Sequence, residues 1–147
     1  MIRVLDEWGA PPSSITITEC VPKLVLEAVV PVQPLSYLSS AQKNGVRYTR
    51  PKQRLYTRHA RTWLGAARRA WESAAGRQWP LDARYLVVID AYRSSAHRVD
   101  WDNLGKLVCD AANGVLWKDD VQIVDGRVRK HVDRTRPRLE LVVEVIQ

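Results

Sequence analysis

Residues 83–93, ARYLVVIDAYR, place Leu, two Val, Ile and two Tyr in one nearly unbroken run. Side chains that branch at Cβ or carry an aromatic ring fit a pleated, half-buried surface, so this run is predicted to be a β-strand. After the short loop SSAHR the apolar spacing changes. Leu104, Leu107, Val108 and Ala111 stand at i, i+3, i+4 and i+7, the buried stripe of a helix over about 102–112 that ends near Asn113-Gly114. A half-buried strand feeding an amphipathic helix requires a layered fold in which helices cover a sheet.

The remaining segments extend that pattern. KLVLEAVVPV (23–32) reads as a strand stopped by Pro31 and Pro34, and the polar stretch after it as an irregular segment with a turn at Asn44-Gly45. Over 54–75, Leu55, Trp63, Leu64, Ala67 and Trp71 recur near helical spacing opposite an arginine-rich side, and Gly76 closes the helix. VQIVDGRVRKHV (121–132) reads as a strand with a potential break at Asp125-Gly126, RTRPR as a basic turn, and LELVVEVIQ as a final strand with Leu139, Leu141, Val143 and Val145 on one face. The order β, α, β, α, β, β predicts an α+β or mixed α/β domain, a small mixed sheet packed with two main helices. A chain of 147 residues fits one such domain, assigned to 23–147, with 1–22 as an N-terminal extension in which SITITE would add a short edge strand.

Charge narrows the function. Between Ala28 and Trp71 there is no Asp or Glu, yet Lys43, Arg47, Arg50, Lys52, Arg54, Arg58, Arg61, Arg68 and Arg69 all fall there. A second cluster, Arg127 to Arg138, contributes to the net charge of +7. Each arginine alone is read most simply as a solvated surface residue. Together, and with Arg outnumbering Lys, they point to a polyanion, nucleic acid above all, because the planar guanidinium fork suits phosphate oxygens. An anionic membrane surface fits less well, since no basic stretch has the pattern of a membrane anchor. No apolar run approaches the roughly 20 residues of a membrane span, and the N-terminus lacks the basic-then-apolar order of a signal peptide, so a cytoplasmic protein is expected. Cys20 and Cys109 have no metal-ligand or disulfide spacing and are read as reduced, Cys109 as packing.

Against that basic background, DWDNLGK concentrates carboxylates. Asp102, Lys106 and Asp110 stand at i, i+4 and i+8 on the side of the helix opposite its apolar stripe, and Asp100 just precedes it. If the chain is extended there, Asp100 and Asp102 share a face while Val99 and Trp101 point the other way into packing. One reading is an Asp helix cap with an i,i+4 ion pair, which leaves Asp100 without a role. A calcium-binding EF-hand loop fails, because Leu104 and Ala111 occupy ligand positions. The third reading is a hard-cation site for phosphodiester chemistry, to which WKDD would bring Asp119 and Asp120. Converging carboxylates repel one another and a nucleic acid unless a cation lies among them.

The stretch DWDNLGKLVCDAANGVLWKDDVQIVD resembles the RusA family of Holliday junction resolvases, endonucleases associated with phages and prophages. The shared pattern is Asp-x-Asp-Asn-Leu-x-Lys-x-x-x-Asp-Ala followed by Trp-x-Asp-Asp-x-Gln-Ile/Val-Val-Asp. It spans Asp100 to about Arg129, and the element order extends it from about Leu24 to the C-terminus. The resemblance implies a mixed α/β fold, a homodimer, and Mg²⁺-dependent cleavage of four-way DNA junctions, with Mn²⁺ as a substitute metal. Matched position by position, Asp100, Asp102 and Asp120 are the expected catalytic metal ligands and Lys106 the expected catalytic lysine. Asp119 is expected to cap or orient, and Asp110 to hold Lys106. Arg98, Asn103, Arg127, Arg129, Lys130, Arg134 and Arg136 are the expected DNA contacts, joined by some arginines of the 54–69 helix. The chain departs from the family where VPVQPLSYLSS replaces a Pro-Pro-Ser-x-Asn-like segment, and where only Arg98 remains of a more basic run before the acidic motif. Two rivals are a metal-dependent nuclease for other branched DNA and a non-catalytic nucleic-acid-binding protein.

Overall fold

The structure is a computed structural model that describes residues 23–37 and 41–146. The proposed extension 1–22 and its SITITE strand lie outside the described residues. β1 (Val25–Val30) is followed by β2 (Ala41–Lys43), β3 (Val46–Tyr48), α1 (Pro51–Ala75), β4 (Arg84–Arg93), α2 (Trp101–Ala112), a 3₁₀ turn (Asp120–Gln122), β5 (Ile123–Val132) and β6 (Arg138–Ile146). The main sheet has the order β1-β6-β4-β5, parallel between β4 and β5 and antiparallel elsewhere. The expected mixed sheet with two main helices is therefore present. No described helix is long and apolar enough to cross a membrane.

Alternation decides which face of the sheet is covered. Leu26, Ala28 and Val30 of β1, Tyr85, Val87 and Ile89 of β4, and Leu139, Leu141 and Val143 of β6 are all buried beneath the helices. The expected stripe of α2 is correct, since Leu104, Leu107, Val108 and Ala111 are at most 4% exposed. The stripe expected for α1 is correct only in part, because Leu64, Ala67 and Trp71 meet the core and the other two residues do not. Leu55 and Trp63 are about half exposed, and the buried line is Gln53, Tyr56, Ala60 and Leu64, with Ala67 and Trp71 packed beside it. The helix starts at Pro51 rather than Arg54, with proline in its first turn where a missing N–H costs nothing, and its buried line follows the 3.6-residue period one position on from Leu55. Its end at Gly76, φ 63°, is as expected.

The segment expected to be irregular contains a two-stranded hairpin. Asn44 and Gly45 both have positive φ, 52° and 78°, the requirement of a tight I′-type turn. The flanking strands are too short to show alternation in sequence. Nor is β5 broken at Asp125-Gly126: the irregularity against β4 falls between Tyr85 and Leu86, where the partner jumps from Ile123 to Asp125.

Topology sets the position of the site. Adjacent parallel strands need a crossover, and α2 supplies it between β4 and β5. The N-terminus of α2 therefore follows the C-terminal end of β4, and the chain beyond its C-terminus returns to the start of β5. The two halves of the acidic motif belong to opposite ends of a 12-residue helix.

Candidate active site

A groove of about 300 Å³ runs between α2 and the β4–β5 half of the sheet. Its α2 wall presents Trp101, Asp102, Gly105, Lys106 and Cys109, and its other wall Asp120, Ile123, Gly126, Arg127 and Val128. Gly105 allows the walls to approach. A Cβ there would meet Val128 Cγ2 at 3.0 Å and Ile89 Cδ1 at 3.3 Å, closer than ordinary carbon contacts. Its role was not read from the sequence, although a glycine inside a strongly apolar helix is a signal of close approach.

Trp101 does not point into packing; it is 58% exposed and lines the groove. The expectation assumed extended chain through Asp102, but the helix starts at Trp101, so strand alternation ends at Asp100. Asp100 is the N-cap residue, exposed, and its carboxylate makes no capping hydrogen bond. Asp102 lies in the first turn, where its Oδ1 accepts the Asn103 N–H at 2.9 Å. Neither aspartate bonds an N–H further along the helix as a cap would, so helix capping does not account for them.

Lys106 pairs with Asp110, Nζ to Oδ1 3.7 Å, and lies 5.3 Å from the centre of the Tyr37 ring. The Tyr37 N–H in turn donates to the Asn103 carbonyl at 2.8 Å, tying the segment after β1 to the first turn of α2. At the other end, Asp119 accepts the Val121 N–H at 3.1 Å while Gln122 Oε1 accepts the N–H groups of Lys118 and Asp119. The Gln122 amide also donates to the carbonyls of Leu81 and Ala83, at 3.1 and 2.7 Å. Asp119 thus caps, as expected. Gln122, to which the sequence reading gave no role, locks the turn that aims Asp120.

Burial, then the neighbouring Asp119 and Asp110 carboxylates, push the Asp120 carboxyl above its ordinary range, against the pull of Lys106. Burial likewise pushes the Cys109 thiol up to about 12, with Asp120 and Asp110 adding to the effect, so it is an inert wall. Asp102, Lys106 and Asp120 therefore share one groove. Asp100 is not part of its lining, and among the described residues no three His, Cys, Asp or Glu side chains gather into a ready-made metal site. The cause is the helix: Asp120 feels Asp110, which stands ten positions after Asp100, about 15 Å of helical rise.

The donor set nonetheless suits Mg²⁺. This ion takes hard oxygen ligands, keeps several waters, and is commonly held by one or two carboxylates together with substrate phosphate. Asp102 and Asp120 both line this groove, which is open to solvent, and offer hard oxygen donors to it.

The arginines separate into two groups. Arg61 Nη1 donates to the carbonyls of Asn113 and Ala111, at 2.8 and 3.3 Å, and so caps the C-terminus of α2. Arg68 donates to the Val115 carbonyl and pairs with Glu72. These two arginines of the basic helix are structural, a role invisible while their carbonyl partners lie some 50 positions away. Arg129 forms a fork with Asp90, Nε–Oδ1 2.7 Å and Nη2–Oδ2 2.5 Å, on the face of the sheet away from the helices, where His131 Nε2 also meets Asp90 at 2.6 Å. Burial alone would raise Asp90, but the hydrogen bonds and charges of Arg129 and His131 prevail and hold it below the ordinary range. Arg127 lines the groove and approaches Asp125 at 3.5 Å. Lys130 Nζ donates to the Val99 carbonyl at 3.1 Å, steadying the loop before α2. Arg98, Arg134 and Arg136 are exposed and Asn103 half-exposed. The turn carrying Arg134 and Arg136 is held by Asp133, which accepts from the N–H groups of Thr135 and Arg136, the Thr135 hydroxyl and Arg138.

A family model for endodeoxyribonuclease RusA matches residues 31–144, the groove included. The chain belongs to the RusA family. It is accordingly an endodeoxyribonuclease, and the family is one of Holliday junction resolvases. No curated protein matches the chain.

Proposed function

We propose that this RusA-family chain resolves four-way DNA junctions by paired, symmetric, Mg²⁺-dependent nicks, with Mn²⁺ as a substitute, in DNA recombination and repair. Residues 23–147 form the endonuclease domain, and the protein is phage- or prophage-encoded and works in the cytoplasm. The reading is carried by one observation: Asp102, Lys106 and Asp120 line a single groove in a protein of net charge +7.

Asp102 and Asp120 would hold the metal, whereas Asp100, outside the groove lining at the start of α2, is not among its ligands in this reading. Bound Mg²⁺ supplies a polarised water and neutralises charge developing on the phosphate. Lys106 donates from its ammonium to a non-bridging phosphate oxygen, and its place between Asp110 and Tyr37 keeps it oriented before DNA arrives. Gln122 and Asp119 keep Asp120 aimed at the groove. Arg98, Asn103, Arg127, Lys130, Arg134 and Arg136 bind flanking phosphates, which sets the register of the strand without reading bases. Arg129, with its guanidinium forked on Asp90 across the sheet, reaches DNA only from its exposed edge. A homodimer supplies two such grooves related by a two-fold axis, the symmetry that two matched nicks across a junction demand.

The test compares a four-way junction with linear duplex and flap DNA of matched sequence, with and without Mg²⁺. Cleavage confined to the junction, abolished by Asp102→Asn while junction binding persists, is the expected result. Preferential cutting of flaps would shift the substrate to other branched DNA, and binding without cutting would leave a non-catalytic binder.

A further inference from the structure

A second cavity, of about 200 Å³, lies beyond the groove at the C-terminal ends of β4 and β5. Its lining includes Arg93, Ser95, His97, Lys130 and His131, and contains no Asp or Glu. Arg93 donates from Nη1 to the His97 carbonyl at 2.9 Å, yet its Nε–H is fully buried and has no hydrogen-bond partner. The Ser95 hydroxyl likewise makes no hydrogen bond among the described residues. The one carboxylate bonded to His131, Asp90, is already forked by Arg129. A cavity lined by arginine, lysine, histidine and a serine hydroxyl, with no carboxylate in its lining, forms an anion site of tetrahedral-oxyanion type.

Along β5 the groove is lined by Gly126, Arg127 and Val128, and the cavity by Lys130, His131 and Val132 further on in the same strand. Ile123, beside Asp120 in the groove, and Lys130 are seven residues apart, about 23 Å along the strand. Arg93 and Lys130 also hold the carbonyls of His97 and Val99, in the loop that leads to Asp100.

We propose that this pocket seats a backbone phosphate of the cleaved strand, to one side of the scissile one. It thereby fixes the register of the strand along the groove and steadies the loop that carries Asp100. The assignment rests on the groove being where the strand is cut, but it is tested by binding alone. Junction affinity is measured by fluorescence anisotropy in EDTA over a range of salt, for the wild-type chain and for Ser95→Glu and His97→Glu. Both positions lie in the loop outside the core, and thermal melts check that the variants fold. The same assay uses junctions carrying a single neutral methylphosphonate at each position within about eight nucleotides of the cleavage site.

The expected result is affinity at least tenfold weaker for Ser95→Glu, with a salt slope reduced by about one. One methylphosphonate position weakens the wild type but not the variant. NMR titration with inorganic phosphate alone shifts the His97 ring signals of the wild type and not those of Ser95→Glu. Folded variants that bind within twofold of wild type with an unchanged slope would overturn the proposal. A flat methylphosphonate scan would also overturn it, and a flat scan beside clear inorganic phosphate binding would reassign the pocket to a free anion. A wild type that binds in this way but never cuts refutes the nuclease reading and leaves the pocket standing.

Discussion

Replacing Gly105 by Ala sets two opposed effects against each other on one helix. In isolation the change favours α2, since alanine is better than glycine in a helix interior by about 0.8–1.0 kcal/mol. The added Cβ, however, would lie 3.0 Å from Val128 Cγ2 and 3.3 Å from Ile89 Cδ1. Restoring ordinary carbon contacts of about 3.5 Å or more requires a retreat of roughly half an ångström. Ile89 is only 3% exposed and has nowhere to go, and Val128, branched at Cβ, is stiff about χ1. Overpacking of this kind costs about 1–3 kcal/mol, so packing prevails and the net loss is about 1 kcal/mol. For a chain of this length that lowers Tm by about 3 °C. The strain is relieved most easily by moving α2 away from β5, which carries Asp102 and Lys106 away from Asp120. Cleavage is therefore expected to fall at least about tenfold, more than the stability change explains, because displacements of about 1 Å can cost a hundredfold. Thermal melts and single-turnover cleavage of a four-way junction measure the two effects. A variant that melts higher than wild type and cuts at the wild-type rate would refute the close approach of α2 to the sheet.

Three further expectations follow from the electrostatics. Asp120 has a raised carboxyl, so its contribution to stability is fully present below the unfolded value and is lost as pH rises through the folded one. Asp120→Asn is therefore expected to melt higher than wild type at pH 7 in EDTA, to lose cleavage, and to bind Mg²⁺ more weakly by isothermal titration calorimetry; an unchanged Mg²⁺ affinity would remove Asp120 from the metal site. Asp90 and Asp133 have the opposite sign: Asp133 is held low by the Arg136 N–H, then by Thr135 and Arg138. Their contribution is complete above the ordinary Asp value of about 3.9 and is lost as pH falls through the lower folded values, so Asp133→Asn should flatten the decline of Tm below about pH 4. Arg61→Ala, which uncaps α2, should lower stability by about 1 kcal/mol with little change in the salt slope of DNA binding, whereas Arg134→Ala should reduce that slope by about one and leave the melt unchanged. The reverse pattern would exchange their roles.

Periodicity made much of the architecture legible. The stripe Leu104, Leu107, Val108 and Ala111, the β4 run, the alternation of β6 and the glycine at 76 are local patterns, and each local pattern agrees with its tertiary environment. The acidic motif and the role of Asp119 were legible for the same reason, because capping and i,i+4 pairing act within one turn. What could not be read was which of several similar residues faces what. Leu55 and Tyr56 are both plausible core residues, and only the packing of α1 on β1 and α2 selects Tyr56. Arg58 and Arg61 look alike in sequence, yet only Arg61 meets the end of α2.

By itself, then, the sequence determined the element types, the mixed helix-on-sheet layering and the set of acidic and basic groups available for phosphodiester chemistry, because these depend on short-range periods and residue chemistry. The tertiary structure decided how those groups are distributed. The crossover of α2 between parallel strands puts Asp100 and Asp120 towards opposite ends of a helix, gathers Asp102, Lys106 and Asp120 along one groove, turns Arg61 and Arg68 inward, and leaves a basic cavity at the far end of β5. Those outcomes depend on contacts between residues remote in the chain, which no local pattern encodes.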